Sequence, residues 1–172
     1  MENAGSEDPQ DLFSLLYRDL HRLAHARLRQ NEPITLLDTT SLVHETYLKI
    51  LKSGRVEVDQ RPRFRAYAAQ VMRSIIVDFV RQRHAERRGG DDARVPLDSA
   101  LESASAAETE LLRVNEALDE LAKIDERLVK IVEMRYFGGF TEEDVGVALG
   151  VNERTVRREW QKARMLLSLA LK

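Results

Sequence analysis

Cysteine is absent from the 172-residue chain, so a disulfide framework and a thiolate metal site are both excluded. No apolar run is long enough to span a membrane, and the first ten residues, MENAGSEDPQ, lack the basic and then apolar pattern of a signal peptide. From these absences we expect a cytoplasmic protein without membrane insertion. The apolar–polar alternation of β-strands does not persist anywhere in the chain, and so the sequence predicts an all-α fold.

Histidine is scarce, and the four that are present do not form a site. His21 and His25 lie one helical turn apart, but a metal site needs at least a third ligand. The segment HETYL at His44 lacks the second histidine of a zinc protease motif. We therefore expect no catalytic residue, no metal and no cofactor, and we do not expect an enzyme.

Charge is distributed unevenly, although the formal net charge is only −2. Residues 61–90 contain eight arginines and two acids, a net charge of +6, whereas residues 91–126 contain eleven acids and three bases, a net charge of −8. Of the 27 basic residues, 21 are arginine. Because the planar guanidinium binds phosphate in a bidentate way and stacks on bases, this preference favours a nucleic-acid partner.

Helical periodicity divides the chain into two small helical domains. Residues 11–88 hold three helices, the third of which is rich in arginine and ends at Gly89-Gly90. Residues 89–110 are acidic and rich in Ser, Ala and Glu, and they predict a flexible linker. Periodicity resumes at Leu111, so residues 111–172 form the second domain. In the second helix of the first domain the predicted apolar stripe is Leu42, Val43, Tyr47, Leu48 and Leu51.

The end of the chain has the spacing of a helix-turn-helix. Thr141 begins one helix, Gly146 permits a close helix crossing, Gly150 turns the chain, and Asn152 caps the second helix. Because a glycine in a helix interior costs roughly 1 kcal/mol relative to alanine, Gly146 indicates a packing constraint. The outward face of the second helix is predicted to read base edges in a major groove through Glu153, Arg154, Thr155, Arg157, Arg158, Gln161 and Lys162.

Residues 118–167, from LDELAKIDERLVKIVEMRYFGGFTEEDVGVALG to VNERTVRREWQKARMLL, resemble the fourth conserved region of bacterial sigma factors, which binds the minus-thirty-five promoter element. The segments TTSLVHETYLKIL and FRAYAAQVMRSIIVDFVRQRHAERR resemble the second region, which binds the polymerase clamp and melts the minus-ten element. Two domains and a linker are the layout of the extracytoplasmic-function (ECF) group, and LVHETYLKIL and RRGGDDARVPLD are similar to one ECF-like subgroup. The resemblance covers residues 11–172.

The resemblance implies a non-catalytic subunit that binds core RNA polymerase and promoter DNA. It implies that the minus-ten element and its melting involve Arg73, Ser74, Asp78, Arg81, Arg83, Arg87 and Arg88. It implies that the clamp contacts are Asp38, Leu42, Glu45 and Leu48. The loop between Lys52 and Phe64 would help to hold a flipped base. Phe64 and Tyr67 fit helix-packing positions better than base stacking.

Two positions depart from the family pattern. Ser74 stands where the family commonly has asparagine, four residues before Asp78, which leaves the minus-ten preference open. Hydroxyl residues follow Asp38 where the family commonly presents a run of acids to a basic clamp surface. Phosphorylation would restore negative charge there, and the predicted sites are Thr39, Thr40 and Ser41. Helix capping is the alternative role for these hydroxyls. Phosphorylation there would require a Ser/Thr protein kinase as a partner, and the resemblance adds an anti-sigma factor as the other regulatory partner to test.

A dimeric helix-turn-helix regulator that acts without core polymerase is the alternative function. It accounts for residues 111–172, but it leaves the arginine-rich helix and the linker without a role. Dimerisation on a palindromic site would favour it.

Overall fold

The structure is a computed structural model that describes residues 14, 17–22, 24–25, 37–53, 61–89 and 99–172. Residues 17–22 and 24–25 are helical, as expected for the first of the three helices predicted in residues 11–88. Six further α-helices follow, and no strand occurs in the described residues, which confirms the all-α prediction. Their bounds are α1 Thr39–Ser53, α2 Arg61–Gly89, α3 Ser99–Ile124, α4 Glu126–Val132, α5 Glu142–Leu149 and α6 Glu153–Ala170.

A side-chain cap and two glycines define the ends of α4 and of the turn that extends it. Asp125 caps α4, because its carboxylate accepts hydrogen bonds from the amides of Arg127 and Leu128 at 3.1 and 3.3 Å. The last turn of α4 widens into a π-helical turn, Glu133–Phe137, before Gly138 and Gly139 end it. Gly139 has a φ of 64°, a conformation that favours glycine.

Helix α3 corrects the linker prediction. Residues 89–110 were expected to form a flexible linker, but α3 begins at Ser99 and runs without a break to Ile124. Alanine and glutamate are good helix formers, and the segment also packs against α2, where Glu108 is fully buried. The serine-rich composition therefore concealed the first turns of a long helix.

Helix α1 corrects the predicted apolar stripe. The buried residues of α1 are Leu42, Val43, Thr46 and Ile50, whereas Leu48 and Leu51 are about half exposed, at 51% and 49%. The core-facing stripe is therefore rotated from the predicted one, and Leu48 and Leu51 remain available for contact with a partner.

Helix α2 lies at the centre of the fold and contacts α1, α3, the π-helical turn and α5. One continuous buried cluster joins its apolar residues to those of the C-terminal part, including Ile131, Met134 and Phe140. A second, smaller cluster fills the space between α3, α4 and α6. The described residues of the two predicted domains thus share a core across α2.

Candidate nucleic-acid interface

The turn between α5 and α6 brings the two helices into close contact. Thr141 caps α5 through a capping box, in which its hydroxyl accepts from the amide of Asp144 at 3.1 Å and the Asp144 carboxylate accepts from the amide of Thr141 at 3.1 Å. Gly146 is buried, and a Cβ there would lie 2.7 Å from the carbonyl oxygen of Val151. Gly150 adopts the left-handed conformation, with φ 67° and ψ 36°. These observations confirm the roles predicted for both glycines.

Apolar anchors fix the rotation of α6 about its own axis. Val145 and Val156 are completely buried, and Leu149 and Trp160 pack partly buried against the same cluster. The Asn152 side chain accepts from the amide of Thr155 at 2.8 Å and caps α6 as predicted. Because Val156 and Trp160 occupy one side of α6, the opposite side faces solvent.

The solvent-facing side of α6 is basic. Six of the seven predicted contact residues are exposed, and Thr155 is half-buried. Among the described residues, none forms an ion pair with Arg154 or Arg158. We call the surface formed by the seven residues the α6 face; its members are Glu153, Arg154, Thr155, Arg157, Arg158, Gln161 and Lys162.

Arg157 differs from its neighbours because two carboxylates hold it. Its Nε donates to Glu142 at 2.9 Å, and an η nitrogen donates to Glu153 at 2.8 Å. The hydrogen bond that Arg157 donates to Glu142 and the attraction of both acids raise the pKa of Arg157 above its usual value. Glu142 belongs to α5, so this contact also ties α5 to α6.

The predicted minus-ten residues on α2 fall into two groups. Asp78, Arg81 and Arg88 are exposed, and Ser74 is half-buried. Lys49 of α1 donates to the Ser74 hydroxyl at 2.8 Å and lies 3.7 Å from the Asp78 carboxylate. These residues share one accessible side of α2.

Arg73 belongs to the second group, which faces the protein interior. It is only 9% exposed, and its guanidinium donates to Asn115, Asp119 and Glu133. This placement differs from the predicted DNA contact, because Arg73 lies on the side of α2 that packs against α3 and the π-helical turn. Burial raises the pKa of Glu133, although the Arg73 guanidinium opposes that shift.

Arg83 and Arg87 also bind an acid rather than face solvent freely. Both guanidinium groups donate to the carboxylate of Glu108, with Arg87 at 2.6 Å, and the side chain of Glu108 is fully buried. His84 Nε2 lies 3.3 Å from the same carboxylate. In this structure, three of the five predicted DNA-contacting arginines are therefore occupied by acids of α3 and of the π-helical turn.

The predicted clamp residues on α1 are also divided. Leu42 is completely buried and is a core residue, so the expectation that it contacts a partner is wrong in this structure. Asp38, Glu45 and Leu48 are exposed. Glu45 and Leu48 line a surface groove between α1 and α2, whose other walls are Leu37, Lys49, Lys52, Ile75, Asp78, Phe79 and Gln82.

The hydroxyl residues after Asp38 lie in the first turn of α1. The Asp38 carboxylate accepts from the Ser41 hydroxyl at 2.6 Å and from the Ser41 amide at 3.0 Å, and these bonds lower the pKa of Asp38. Thr40 is exposed and Thr39 is half-buried. Ser41 is therefore engaged in the helix cap, whereas Thr40 presents its side chain to solvent.

Several contact residues were not anticipated from the sequence. Asn115, Asp119 and Glu133 surround Arg73, and Glu108 binds Arg83 and Arg87. The signal for Glu108 and Asp119 was the acidic segment that follows the arginine-rich helix. Phe64 is buried, in agreement with its predicted packing role, and Tyr67 is half-buried. Most of the predicted base-holding loop, residues 54–60, lies outside the described residues.

Within the part of the chain that the structure describes, no three His, Asp or Glu side chains are grouped as a metal site would require. None of the described helices combines the length and the apolar character that crossing a membrane requires.

Comparison with known protein families matches residues 2–172 to the family described as ECF sigma factor. The match covers essentially the whole chain. No curated protein and no solved structure matches it.

Proposed function

The chain belongs to the ECF sigma factor family, and from this premise we propose how its surfaces direct transcription initiation. Members of the family bind core RNA polymerase and promoter DNA and are not enzymes. The proposed units are residues 11–88 for the clamp and the minus-ten element, and residues 111–172 for the minus-thirty-five element. Residues 89–110 connect them and include the first turns of α3. The proposed location is the cytoplasm, where the polymerase acts.

The α6 face reads the upstream promoter element. The observation that supports this most strongly is the close crossing at Gly146 together with the exposed basic side of α6. A helix held rigidly at its amino end, with its basic side outward, fits the major groove in the manner of a recognition helix. Arg154 and Arg158 have no acidic partner among the described residues, so their donors are available to guanine edges or phosphates.

Replacement of Arg158 by alanine tests this assignment. We expect promoter binding to weaken by about 1–3 kcal/mol and base preference to relax at one position if Arg158 contacts a base. If it contacts a phosphate, we expect uniform weakening and a smaller salt dependence. Lys130→Ala is the matched control, because Lys130 is exposed on α4 and pairs only with Glu126 among the described residues. Equal effects of the two substitutions would reject the assignment.

The accessible side of α2 engages the minus-ten element. Ser74, Asp78, Arg81 and Arg88 lie on this side of α2 and are accessible to solvent in this structure. The Lys49 contacts order Ser74 and Asp78 before any DNA arrives. Arg73, Arg83 and Arg87 contribute only in a chain in which their present acidic partners have moved away.

The α1–α2 groove binds the polymerase clamp. Glu45 and Leu48 lie in the groove, Leu51 adds an exposed apolar side chain nearby, and Asp38 lies at the amino end of α1. Exposed leucines at helical spacing present an apolar surface to a partner. Leu42 contributes indirectly, because it holds α1 on the core.

Phosphorylation in the first turn of α1 regulates clamp binding. The geometry favours Thr40 over Ser41, because a phosphate on Ser41 would remove its bond to Asp38 and place two anions side by side. A phosphate on Thr40 would lie at the amino end of a 15-residue helix, where the helix dipole favours anions. Thr39 is half-buried, so a kinase reaches it less easily.

The regulation is tested by measuring how tightly three forms of the chain bind core polymerase. They are the unmodified chain, the Thr40→Ala variant, and a chain with phosphothreonine at position 40. We expect the phosphorylated chain to bind at least ten times more tightly than the other two. Thr39→Ala and Ser41→Ala serve as controls for the other two hydroxyls. Tight binding by the unmodified chain that phosphate leaves unchanged would refute the regulation and leave the hydroxyls with capping alone.

Run-off transcription with core polymerase separates the sigma-factor role from the alternative regulator. We expect the purified chain to co-purify with core polymerase and to support transcripts from a cognate promoter. A dimer that binds a palindromic site without core polymerase would instead support the alternative.

A further inference from the structure

A lysine of α1 and two residues of α2 form a polar contact between the two helices. The Lys49 ammonium donates to the Ser74 hydroxyl at 2.8 Å and lies 3.7 Å from the Asp78 carboxylate. Ser74 and Asp78 are four residues apart, so they lie on the same side of α2. We call these three side chains the Lys49 cluster. It places a group that only donates hydrogen bonds beside a carboxylate that only accepts them.

The Lys49 cluster is open to solvent. The side chains of Lys49 and Asp78 are 48% and 64% exposed. An ammonium has three N–H groups, of which Ser74 accepts one and Asp78 attracts another, so one remains for a ligand. Within the described part of the chain, no side chain donates a hydrogen bond to Asp78. Both oxygens of this carboxylate are therefore available to a ligand.

The ion pair between Lys49 and Asp78 has little effect on the stability of the fold. Water screens an exposed pair at this distance, and both side chains lose conformational freedom when they are held together. The contact with Ser74 instead determines where the ammonium lies relative to the carboxylate. A donor and an acceptor that are fixed side by side on an exposed surface can recognise the polar edge of a base.

Unpaired guanine is the base that matches this arrangement best. On its pairing edge, guanine presents the O6 acceptor next to two donors, N1–H and N2–H. A carboxylate can accept from both donors while a neighbouring ammonium donates to O6, which gives three charge-assisted hydrogen bonds. Each of the other three bases presents only one donor group on that edge, so one carboxylate oxygen would lack a partner. Cytosine covers the guanine edge in a duplex, so the strands must separate first.

Arg81 supplies positive charge for the phosphate of the same strand. It lies three residues after Asp78, on the same side of α2, and it is exposed. No acid pairs with Arg81 among the residues that the structure describes. Asp78 borders the α1–α2 groove and also a second depression, whose walls on α2 include Gln70, Val77 and Arg81. A strand that passes Arg81 therefore reaches Asp78 without entering the groove proposed for the clamp.

We propose that the Lys49 cluster reads one unpaired guanine in the melted minus-ten element. Asp78 accepts from N1–H and N2–H, Lys49 donates to O6, and Ser74 is a positioning residue that holds Lys49. The assignment rests on the proposed engagement of the minus-ten element by the accessible side of α2. It adds a residue of α1 to that surface and gives the base preference that Ser74 left open.

A promoter library that is randomised across the minus-ten element tests the base preference. Holoenzyme assembled from core polymerase and the original chain selects the members that form open complexes. We expect guanine to be enriched about tenfold over every other base at one position. Lys49→Gln and Asp78→Asn should each abolish this enrichment. Lys130→Gln is the matched control, because Lys130 is exposed on α4, pairs only with Glu126 among the described residues and carries the same charge.

Ser74→Ala separates positioning from binding. It removes the acceptor that holds Lys49 but keeps both charged groups, so we expect the guanine enrichment to decrease while Tm and helix content stay unchanged. Guanine enrichment that persists with both Lys49→Gln and Asp78→Asn would overturn the proposal and leave the proposed function intact. Equal loss of enrichment with Lys130→Gln would also overturn it. If holoenzyme with the original chain opens no member of the library, the proposed function itself is refuted.

Base analogues at the selected position identify the edge of guanine that is read. The template carries mismatches that already unpair the minus-ten element, so that duplex stability does not affect binding. 7-Deazaguanine keeps O6, N1–H and N2–H, and we expect holoenzyme to bind it as tightly as guanine. Inosine lacks the N2 amine, so we expect binding to weaken about tenfold with the original chain and less with Asp78→Asn. Weaker binding of 7-deazaguanine together with unchanged binding of inosine would overturn the proposal, because a different edge would then be read.

Discussion

Gly146→Ala is expected to destabilise the protein, although alanine is the better helix former. In a helix interior, alanine stabilises the helix by about 1 kcal/mol relative to glycine. The added Cβ would lie 2.7 Å from the Val151 carbonyl oxygen, which is backbone and cannot rotate away. The same turn is held by the Val151 amide, which donates to the Gly146 oxygen at 2.9 Å. Overpacking of this kind lowers the free energy of unfolding by about 1–3 kcal/mol. We expect the upper value, because the Val151 carbonyl cannot move away from the new methyl group without displacing the whole turn.

The expected net effect is a loss of about 2 kcal/mol of unfolding free energy, which lowers Tm by about 4–8 °C for a chain of this size. Differential scanning calorimetry measures the change. Ala122→Gly, at an exposed site on α3, is the control that reports helix propensity alone. If Gly146→Ala raises Tm by about the amount that Ala122→Gly lowers it, the close crossing does not require glycine. In the folded variant, promoter binding should fall while core-polymerase binding through α1 stays unchanged.

Three further predictions concern the caps and the clamp surface. Gly150→Ala should lower the free energy of unfolding by about 1–2 kcal/mol, because Gly150 has φ 67° and alanine disfavours that conformation. A urea titration measures the change, and an unchanged unfolding midpoint would contradict the left-handed turn. Burial raises the pKa of Asp144, but the hydrogen bonds that Thr141 and Arg65 donate to its carboxylate outweigh burial and lower the pKa below the ordinary value of 3.8. Asp144→Asn should therefore lower the free energy of unfolding at neutral pH, and this loss should disappear as the pH falls through the lowered pKa of Asp144. A loss of Tm that is the same at every pH would refute this reasoning. Leu48→Asp should weaken core-polymerase binding at least tenfold without lowering Tm, since Leu48 is 51% exposed; unchanged binding in a pull-down titration would move the clamp contact elsewhere.

The local signals of the sequence were sufficient for the C-terminal helices. Each residue of the helix-turn-helix signal has the structural role that was predicted for it, and each acts on backbone only a few residues away. These residues are Thr141, Gly146, Gly150 and Asn152. Caps and left-handed turns are determined by neighbouring backbone, so spacing alone identifies them.

The positions that differ from prediction depend on distant partners. Arg73 and Arg81 are both arginines on α2, yet Arg73 is buried because Asn115 and Glu133 meet it from 42 and 60 residues away. Leu42 and Leu48 were both predicted in the apolar stripe and in the clamp surface, but Leu42 is buried and Leu48 is exposed, because the direction from which α2 packs selects the buried side of α1. The spacing of apolar residues along the sequence identifies an amphipathic helix. It does not show how many sides of that helix are packed against other helices.

The pair of carboxylates that holds Arg157 has a consequence for discrimination among DNA sites. An arginine side chain loses up to about 2 kcal/mol of rotamer entropy when it is ordered. Glu142 and Glu153 impose part of that ordering before DNA arrives. The same acids repel phosphates, so a misplaced backbone gains little from Arg157, whereas a guanine edge that reaches its remaining donors meets a group already oriented. If the proposed function holds, Arg157 therefore contributes little to the binding of DNA phosphates, which are the same at every site, and contributes mainly where a guanine edge is correctly placed.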